Sequence, residues 1–423
     1  MSATALARIL DEGLIGPVFQ PLVDLYSGET LGYEALARGP EGPLQRPDLL
    51  FAAARQEGRL AELDRACRRA AVTSAHAAQL HSPATLFVNV EPEAVGLGLE
   101  EARPDPARLP ADMRLVVEIT ERALTARPAD LLPMIEQLRE AGIGIALDDV
   151  GADHRSLALM PFLRPDVIKL DLRLTQGHPS AEVAEVHNAV SAHAERTGAL
   201  VVAEGIETEQ HAERARAMGA SIGQGWLYGR PGPLPDHRLE PSRPIPIVGK
   251  PVEDSTTPFR SIEGHRPLRR GSKRLLLEIS RELERQAESL GQSAVLISTF
   301  QHARHFTPSQ VELYGRLSHS LAFVGALGQD MPAAPAFGVR GSNLPADDPL
   351  TREWDIVVVA PHFAAAFSAR DLGDSGGPDM DRRFDFQLTH DRDLAVRAAR
   401  SLMARIEPLG VVSSVKRLLT APA

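Results

Sequence analysis

Short apolar runs alternate with longer amphipathic stretches from the N-terminus to about Arg243. The runs are Val18–Leu25, Thr85–Val90, Arg114–Ile119, Ile143–Leu147, Val167–Leu170, Leu200–Ala203 and the weaker Ser221–Gly223. Several are rich in Val, Ile and Leu, which is typical of strands buried on both faces. The stretches between them, such as Pro128–Ala141 and Ala181–Thr197, have helical patterns. This alternation predicts a parallel sheet, and its length matches a TIM-type (β/α)8 barrel of ~250 residues.

The pattern changes between Leu239 and Arg270, where proline is frequent and no periodicity remains. We expect an inter-domain linker over 241–270, after a barrel domain over 1–240. Regular structure resumes with the amphipathic helix Lys273–Ser289. The further candidate strands are Ala294–Phe300, Ala322–Ala326, Ala336–Val339, Trp354–Val359 and Arg383–Leu388, and the further candidate helices are Pro308–Leu321 and Arg392–Ile406. They predict a second, smaller α/β domain over 271–410.

Composition narrows the class of protein. The chain has 423 residues, 43% of them hydrophobic and 24% charged, as in ordinary globular proteins. The net charge of −10 argues against binding a nucleic acid polymer, although one small phosphate ligand remains compatible with it. A single cysteine, Cys67, permits no intramolecular disulfide. Because there is neither a signal-peptide pattern nor an apolar run of ~18 residues, we expect a cytoplasmic protein without a membrane segment.

Polar side chains mark the ends of the apolar runs of the first domain. They are Asn89, Glu118, Asp148 with Asp149, Lys169 with Asp171, Glu204 followed by Glu207, and Gln224. Another carboxylate, Glu34, interrupts an apolar stretch, and a buried carboxylate requires a partner. Since the carboxyl ends of barrel strands meet in one mouth, these groups are expected to converge there.

Such a mouth requires cations, because converging carboxylates repel one another and their pKa values rise. Oxygen ligands without cysteine suit Mg²⁺ or Mn²⁺. The adjacent Asp148 and Asp149 can bridge two ions or divide between them, and two-metal sites suit phosphoester hydrolysis. Lys169 either orients or deprotonates the attacking water, or it balances the charge of the mouth, or both.

At this point the motifs resemble a known family. Glu34-Ala35-Leu36, extended by Arg38, is similar to the signature of the EAL domain, a TIM-barrel phosphodiesterase of the bacterial second messenger cyclic di-GMP. The accompanying motifs are Phe87-Val88-Asn89, Val117-Glu118-Ile119-Thr120-Glu121, Asp148-Asp149, Ile168-Lys169-Leu170-Asp171, Ala203-Glu204-Gly205-Ile206-Glu207 and Gly223-Gln224-Gly225. The tripeptide alone would mean nothing, but the combination is specific.

The resemblance implies a role for each matching position. Glu34, Asn89, Glu118 and Asp148 would bind the first of two Mg²⁺ or Mn²⁺ ions with Glu204 close by, and Asp149 would help to hold the second. Lys169 would act on the attacking water, with Glu34 and Glu204 as further catalytic residues. Substrate contacts would come from Gln20, Arg38, Asp171, Glu207 and Gln224, and Glu121 would anchor the loop after Asp149. The product would be linear pGpG, and a homodimer is expected.

One loop departs from the family pattern. Active members resemble Asp-Phe-Gly-Thr-Gly-Tyr-Ser-Ser-Leu, whereas this chain has Asp149-Val-Gly-Ala-Asp-His-Arg-Ser-Leu157. Replacing the second glycine of that pattern with Asp153 changes which backbone angles the loop can adopt without strain. Because the metal-ligand positions and Lys169 are retained, an active phosphodiesterase is the favoured interpretation. A weak or inactive domain that acts as a cyclic di-GMP receptor and signals through a partner is the alternative. The acidic strand ends make a pure interaction scaffold the least favoured.

The second domain resembles the DICT sensory domain in Pro349–Phe363 and Arg383–Asp391, which implies regulation by a signal that these motifs do not identify. Two histidine groups offer possible metal ligands: His302 with His305, and His390 with Asp391. Neither forms a complete ligand set, so exposed or capping roles are favoured. Asp391 is predicted to cap the following helix, and Trp354 to anchor the core.

Overall fold

The structure is a computed structural model that describes residues 4–94, 112–235, 241–250, 257–373 and 378–407. The chain divides into two compact units. The first unit consists of Met1–Ala123, Pro133–Asp153 and Leu163–Pro251. The second unit consists of Leu124–Leu132, His154–Phe162 and Val252–Ala423.

The first unit contains a closed eight-stranded barrel, which confirms the predicted fold class. Its strands are β1 (Val18–Asp24), β2 (Thr30–Leu36), β3 (Thr85–Asn89), β4 (Arg114–Ile119), β5 (Gly144–Val150), β6 (Val167–Leu170), β7 (Leu200–Ala203) and β8 (Ile222–Gly223). The helices of this part of the chain are α1 (Ala5–Asp11), α2 (Pro47–Gln56), α3 (Leu60–Ala77), α4 (Glu121–Ala126), α5 (Pro128–Glu140), α6 (Arg155–Leu163), α7 (Leu172–Gln176), α8 (Ala181–Thr197) and α9 (Glu209–Ala217). A short 3-10 turn spans Pro92–Ala94.

Strand β1 runs against its neighbours. It pairs antiparallel with both β2 and β8, whereas β2 to β8 are parallel. The prediction of a wholly parallel sheet was therefore wrong for β1. The cause is the short connection from Leu25 to Glu29, which permits a hairpin but not a parallel crossover. One consequence is that Gln20 on β1 lies directly opposite Glu34 on β2.

The barrel interior is closed by residues from the expected linker. Ile245 is fully buried in the same apolar cluster as Phe87, Val116 and other strand residues. The backbone N–H groups of Val248 and Gly249 donate to Asp166 Oδ1 at 2.7 and 2.6 Å. We call residues 245–249 the strap, because they are held along the barrel by these contacts.

The second unit is built on a seven-stranded sheet of order β12-β11-β10-β13-β14-β15-β9. Its strands are β9 (Arg269–Ser272), β10 (Val295–His302), β11 (Phe323–Gln329), β12 (Arg340–Asn343), β13 (Glu353–Ala360), β14 (Phe363–Asp371) and β15 (Arg383–Thr389). Its later helices are α10 (Pro258–Ile262), α11 (Lys273–Leu290), α12 (Pro308–Ser320) and α13 (Arg392–Met403). The predicted elements recur, except that β12 begins after Ala336–Val339 and that β9 and β14 were missed.

Two buried arginines of the second unit bind the carboxyl ends of earlier helices that belong to the same unit. Arg400 Nη1 donates to the carbonyl of Phe162 at 2.6 Å, at the end of α6. Arg340 donates to the carbonyls of Thr125 and Ala126, at the end of α4. A cation at a helix carboxyl end satisfies free carbonyls and the helix dipole.

The histidines of the second unit have local partners. His302 Nδ1 accepts from the backbone N–H of Arg304, and His305 and His390 each bond a backbone carbonyl through Nδ1. Asp391 accepts from the backbone N–H groups of Asp393 and Leu394, so its predicted helix cap is confirmed. Trp354 is partly buried and meets Phe367 and Phe384 edge-on. Among the helices that the structure describes, none combines the length and apolarity that crossing a membrane requires.

Candidate functional site

Lys169 lies at the centre of the acidic mouth of the barrel. Its side chain is 1% exposed. The Nζ atom lies 2.7 Å from Glu204, 2.8 Å from Glu118, 3.0 Å from Asp148 and 3.3 Å from Glu34. These four acids come from the ends of four different strands, β7, β4, β5 and β2. The convergence predicted from the strand ends is therefore present.

Glu34 is oriented by neutral amides as well as by Lys169. Asn89 Nδ2 donates to Glu34 Oε1 at 3.0 Å, and Gln224 Nε2 donates to Glu34 Oε2 at 2.6 Å. Gln224 also donates to Gln20 Oε1 at 3.1 Å. Asn89 and Gln224 thus bond the motif glutamate directly, and Gln20 joins them through Gln224.

Asp149 joins the acids on a second side. One oxygen each of Asp148, Asp149 and Glu204 lie within 4.8 Å of one another. Asp149 has a left-handed backbone with φ of 54°, which aspartate tolerates better than most residues. Gly151 follows with φ of 95°, and a Cβ there would lie 2.6 Å from Leu174 Cδ1. The glycine retained from the family pattern is thus required by both backbone angle and space.

The altered positions of this loop fit the backbone. Val150 is fully buried. Asp153, where active members have a second glycine, is not among the described residues with a positive φ. Replacing that glycine therefore adds no left-handed strain here. With this loop, one oxygen each of Asp148 and Asp149 still lies within 4.8 Å of an oxygen of Glu204.

The positive charge of Lys169 does not balance the four carboxylates that surround it. Burial raises the pKa of Glu118 well above 4.5, and Glu34 and Asp148 add to the rise. Burial also raises the pKa of Glu204 to about 8, against the opposing effect of Lys169. Burial acts to raise the pKa of Glu34 too, but Lys169 and the two amides outweigh it and lower that pKa. For Lys169, burial acts to lower the pKa, and the surrounding carboxylates raise it well above 10.5.

These properties fit a hard divalent cation. Glu118 Oε2 is buried and accepts no hydrogen bond from any residue that the structure describes. The donor set consists of carboxylate and amide oxygens, which Mg²⁺ and Mn²⁺ prefer. Added positive charge would relieve the repulsion that raises the pKa values of Glu118 and Glu204. Glu34, Asn89, Glu118, Asp148, Asp149 and Glu204 are the residues that could hold it.

A pocket of about 290 Å³ is lined by residues of β2 and β3, including Asn89, and by none of the four carboxylates around Lys169. Arg38 and Asn89 line it, together with α2 and α3 residues that the sequence analysis missed. The missed lining residues include Arg55, Asp64, Arg68 and Glu91. For Asp64 and Arg68, the sequence signal was their spacing of four residues, which places both side chains on one face of α3. In the structure the buried Arg68 pairs with Asp64. Cys67 also lines the pocket, and burial raises its pKa to about 12, so it is no nucleophile.

The remaining predicted site residues lie outside the central cluster. Asp171 caps α7, accepting from the backbone N–H and the Nε of Arg173 at 2.9 and 2.8 Å. Glu207 is exposed before α9. The Nη1 of Arg38 donates to the carbonyl of Ala37 at 2.8 Å. The side chain of Glu121 lies outside the described part of the structure. The substrate and anchor roles of these four residues stay predictions.

Comparison with known proteins agrees with this geometry. Residues 3–231 match the family model described as EAL domain, which is more than half of the chain. The chain belongs to the EAL domain family. Residues 260–372 match the model described as "Sensory domain in DIguanylate Cyclases and Two-component system", known as DICT.

Curated relatives align with the EAL part of the chain. Cyclic di-GMP phosphodiesterase NbdA of Pseudomonas aeruginosa is 33% identical over 225 residues, 51% of this chain and 29% of the relative. Cyclic di-GMP phosphodiesterase RocR of the same species is 31% identical over 241 residues, 55% of this chain and 61% of RocR. The chain therefore covers less than two thirds of either relative. A BlrP1 structure from Klebsiella pneumoniae, a manganese and cyclic di-GMP complex, is 27% identical with a TM-score of 0.44 and aligns 52% of this chain with 56% of BlrP1.

Proposed function

We propose that the EAL barrel hydrolyses one of the two phosphodiester bonds of cyclic di-GMP, adding water to give linear pGpG. The observation that carries this proposal is the convergence of four carboxylates from four strands on Lys169 Nζ, within 3.3 Å. Membership of the EAL family and the names of the relatives support the choice of substrate.

We propose two divalent cations, Mg²⁺ or Mn²⁺, as the cofactors. Glu34, Asn89, Glu118 and Asp148 would hold the first near Glu204, and Asp149 would help to hold the second. Bound there, such cations supply Lewis-acid stabilisation of the charge that develops on the phosphoryl group. The protein supplies a fixed set of oxygens, since Asn89 and Gln224 hold the Glu34 carboxylate in place.

Among the possible roles of Lys169, orientation and charge balance are favoured over proton abstraction. While the four carboxylates surround it, they raise its pKa well above 10.5, so Lys169 is an ammonium group before a cation binds. An ammonium group donates hydrogen bonds and cannot accept a proton. Lys169 would therefore orient the attacking water, while a carboxylate takes up the proton.

Substrate would reach from the acids into the pocket that Asn89 lines. Arg38 and Arg55 line it, and guanidinium groups bind phosphate oxygens in a bidentate manner. Gln20 lies at the same mouth through its bond with Gln224. We assign contact with the phosphate and guanine of the substrate to Arg38 and Gln20, and support of the site to Gln224, as the family resemblance implies.

We further propose that the C-terminal DICT part regulates hydrolysis and that the protein acts as a homodimer. Support for regulation comes from the second unit, which contains His154–Phe162 as well as the DICT part. His154 follows Asp149 by only five residues, and Arg400 binds the carbonyl at Phe162. The signal is unknown, and a cytoplasmic location stays a prediction from the sequence.

The proposal is tested by incubating the purified full chain with cyclic di-GMP and Mn²⁺ or Mg²⁺ and separating the products by chromatography. Glu34→Gln removes one ligand charge without changing shape, and exposed Glu41→Gln is its matched control. We expect the first to lose nearly all turnover and the second to retain it. Tight binding of cyclic di-GMP without pGpG formation, with either ion, would support the receptor alternative and contradict hydrolysis.

Regulation is tested in the full chain with Arg340→Gln, which removes the cation at the end of α4. The matched control is Arg285→Gln, because Arg285 is exposed on α11 and pairs with Glu282 three residues earlier on the same helix. We expect the turnover number to change in the first variant alone, at unchanged oligomeric state. Equal turnover in both variants would argue against this route of regulation.

A further inference from the structure

Lys169 contacts oxygen atoms of four residues of the proposed cation site. Its Nζ atom meets Glu34 Oε2, Glu118 Oε1, Asp148 Oδ1 and Glu204 Oε1. All four residues belong to the proposed metal site. A buried lysine with four carboxylate neighbours is therefore already the positive partner of that site.

The location of Lys169 makes this arrangement persistent. The residue lies on β6, in the barrel wall, and only 1% of its side chain is exposed. A buried ammonium group is stable only while acidic partners surround it. Its neighbours in turn need a cation, since an unpaired buried carboxylate is costly. The lysine and the acids thus hold each other in place.

A divalent cation must change these contacts when it binds. An ion that takes the four oxygens as ligands repels the ammonium group that already contacts them, and at such short separations this repulsion is large. Lys169 must then move to one side of the cluster or give up some of its partners. The cost of that change is subtracted from the affinity for the ion.

We infer that Lys169 is an internal competitor of the divalent cation and sets the metal affinity of the barrel. The inference rests on the metal site of the proposed function. As a consequence, a bound divalent ion replaces the Lys169 ammonium group as the positive partner of the carboxylates. The acids are neutralised by lysine at low metal concentration, and the site takes up Mg²⁺ or Mn²⁺ only above a threshold that lysine determines. Lys169 then becomes free to orient water.

The test is titration of the metal-depleted full chain with Mn²⁺ alone, followed by calorimetry and by electron paramagnetic resonance of the free ion. Lys169→Met keeps an unbranched side chain, one atom shorter, and removes its charge, whereas Lys169→Arg keeps the charge. Lys273→Met is the matched control, because Lys273 belongs to the second unit and pairs there with Asp379. The melting temperature is recorded before and after Mn²⁺ addition.

We expect Lys169→Met to bind Mn²⁺ about tenfold more tightly than the natural chain or more. We also expect it to melt at a lower temperature without metal and to gain more from Mn²⁺. Lys169→Arg and Lys273→Met should show no gain in affinity. Equal or weaker Mn²⁺ binding by Lys169→Met, in a variant that still folds, overturns the inference and leaves the hydrolysis proposal standing. Absence of Mn²⁺ binding in every variant overturns both.

Discussion

Gln224 Nε2 donates a hydrogen bond to Glu34 Oε2 at 2.6 Å, joining the strand ends of β8 and β2 across the barrel mouth. The bond helps to keep Glu34 ionised, although burial acts to raise its pKa. We expect Gln224→Met to lower kcat/KM for cyclic di-GMP by roughly 10–100-fold, because an orienting partner of a metal ligand is lost.

The measurement is steady-state hydrolysis together with Mn²⁺ affinity. Gln286→Met is the matched control, since Gln286 is exposed on α11 and bonds Glu282 there. If both variants had the same kcat/KM, the orienting role of Gln224 would be refuted.

Gly151 is expected to tolerate no side chain. Its φ of 95° strains any other residue, and a Cβ would lie 2.6 Å from Leu174 Cδ1. We expect Gly151→Ala to lower the free energy of unfolding by roughly 1–3 kcal/mol and to reduce turnover, because Asp149 lies two residues away.

Gly142→Ala separates strain from collision. Gly142 has φ of 74° but open space at its Cβ position, so only the strain applies. Thermal unfolding should show the smaller loss for Gly142→Ala, with turnover retained. If Gly151→Ala lost no more stability and turnover than Gly142→Ala, the contact with Leu174 would be relieved by a small movement of the loop.

The strap is expected to stabilise the barrel rather than to serve as a free linker. Ile245 is fully buried in the barrel core, whereas Val248 is 41% exposed. We expect Ile245→Ala to lower the free energy of unfolding by about 2–4 kcal/mol and Val248→Ala to change it by less than about 0.5 kcal/mol. Denaturant unfolding measures both, and similar losses would contradict the buried role of Ile245.

The pair of Asp24 and Arg243 predicts a pH dependence of stability. Burial acts to raise the pKa of Asp24, but Arg243 and the backbone N–H groups of Ser27 and Tyr26 lower it from 3.8 to about 2. A carboxyl pKa depressed in the folded state gives stability that is present above pH ~4 and is lost as the pH falls through about 2.

We therefore expect Asp24→Asn to cost about 2 kcal/mol at pH 7 and progressively less below pH ~4. Exposed Asp48→Asn is the control, because its pair with Arg46 is fully solvated. Unfolding free energies measured from pH 7 down to pH 3 decide the matter. A loss that stays constant over that range would show that packing, not charge, is responsible.

Glu118, Asp148 and Glu204 could be predicted because each one ends an apolar run, and a barrel brings strand ends together, whereas Glu34 was placed by its motif. The direction of β1 was also within reach, since the connection from Leu25 to Glu29 is too short for a parallel crossover. The pocket residues Arg55 and Glu91 could not be placed, because their meeting depends on how the helices α2 and α3 approach the strands.

The missed elements have physical explanations. Strand β14 contains a run of alanines after Phe363, and alanine favours helices, so strand pairing overrode the local preference. Strand β9 has the sequence Arg-Arg-Gly-Ser at the sheet edge and no apolar pattern. The sequence of the strap has only isolated apolar residues among prolines, which predict no regular structure. The burial of Ile245 depends on its packing against the barrel strands.

Formation of pGpG from cyclic di-GMP is the direct test of the proposed hydrolysis. The full chain, freed of metal and then supplied with Mn²⁺, is mixed with excess cyclic di-GMP, and the nucleotides are separated over time. We expect linear pGpG to accumulate beyond one equivalent of protein, with none after chelation of the metal or in Glu118→Gln. Cyclic di-GMP that is bound but recovered intact in the presence of Mn²⁺ would contradict it.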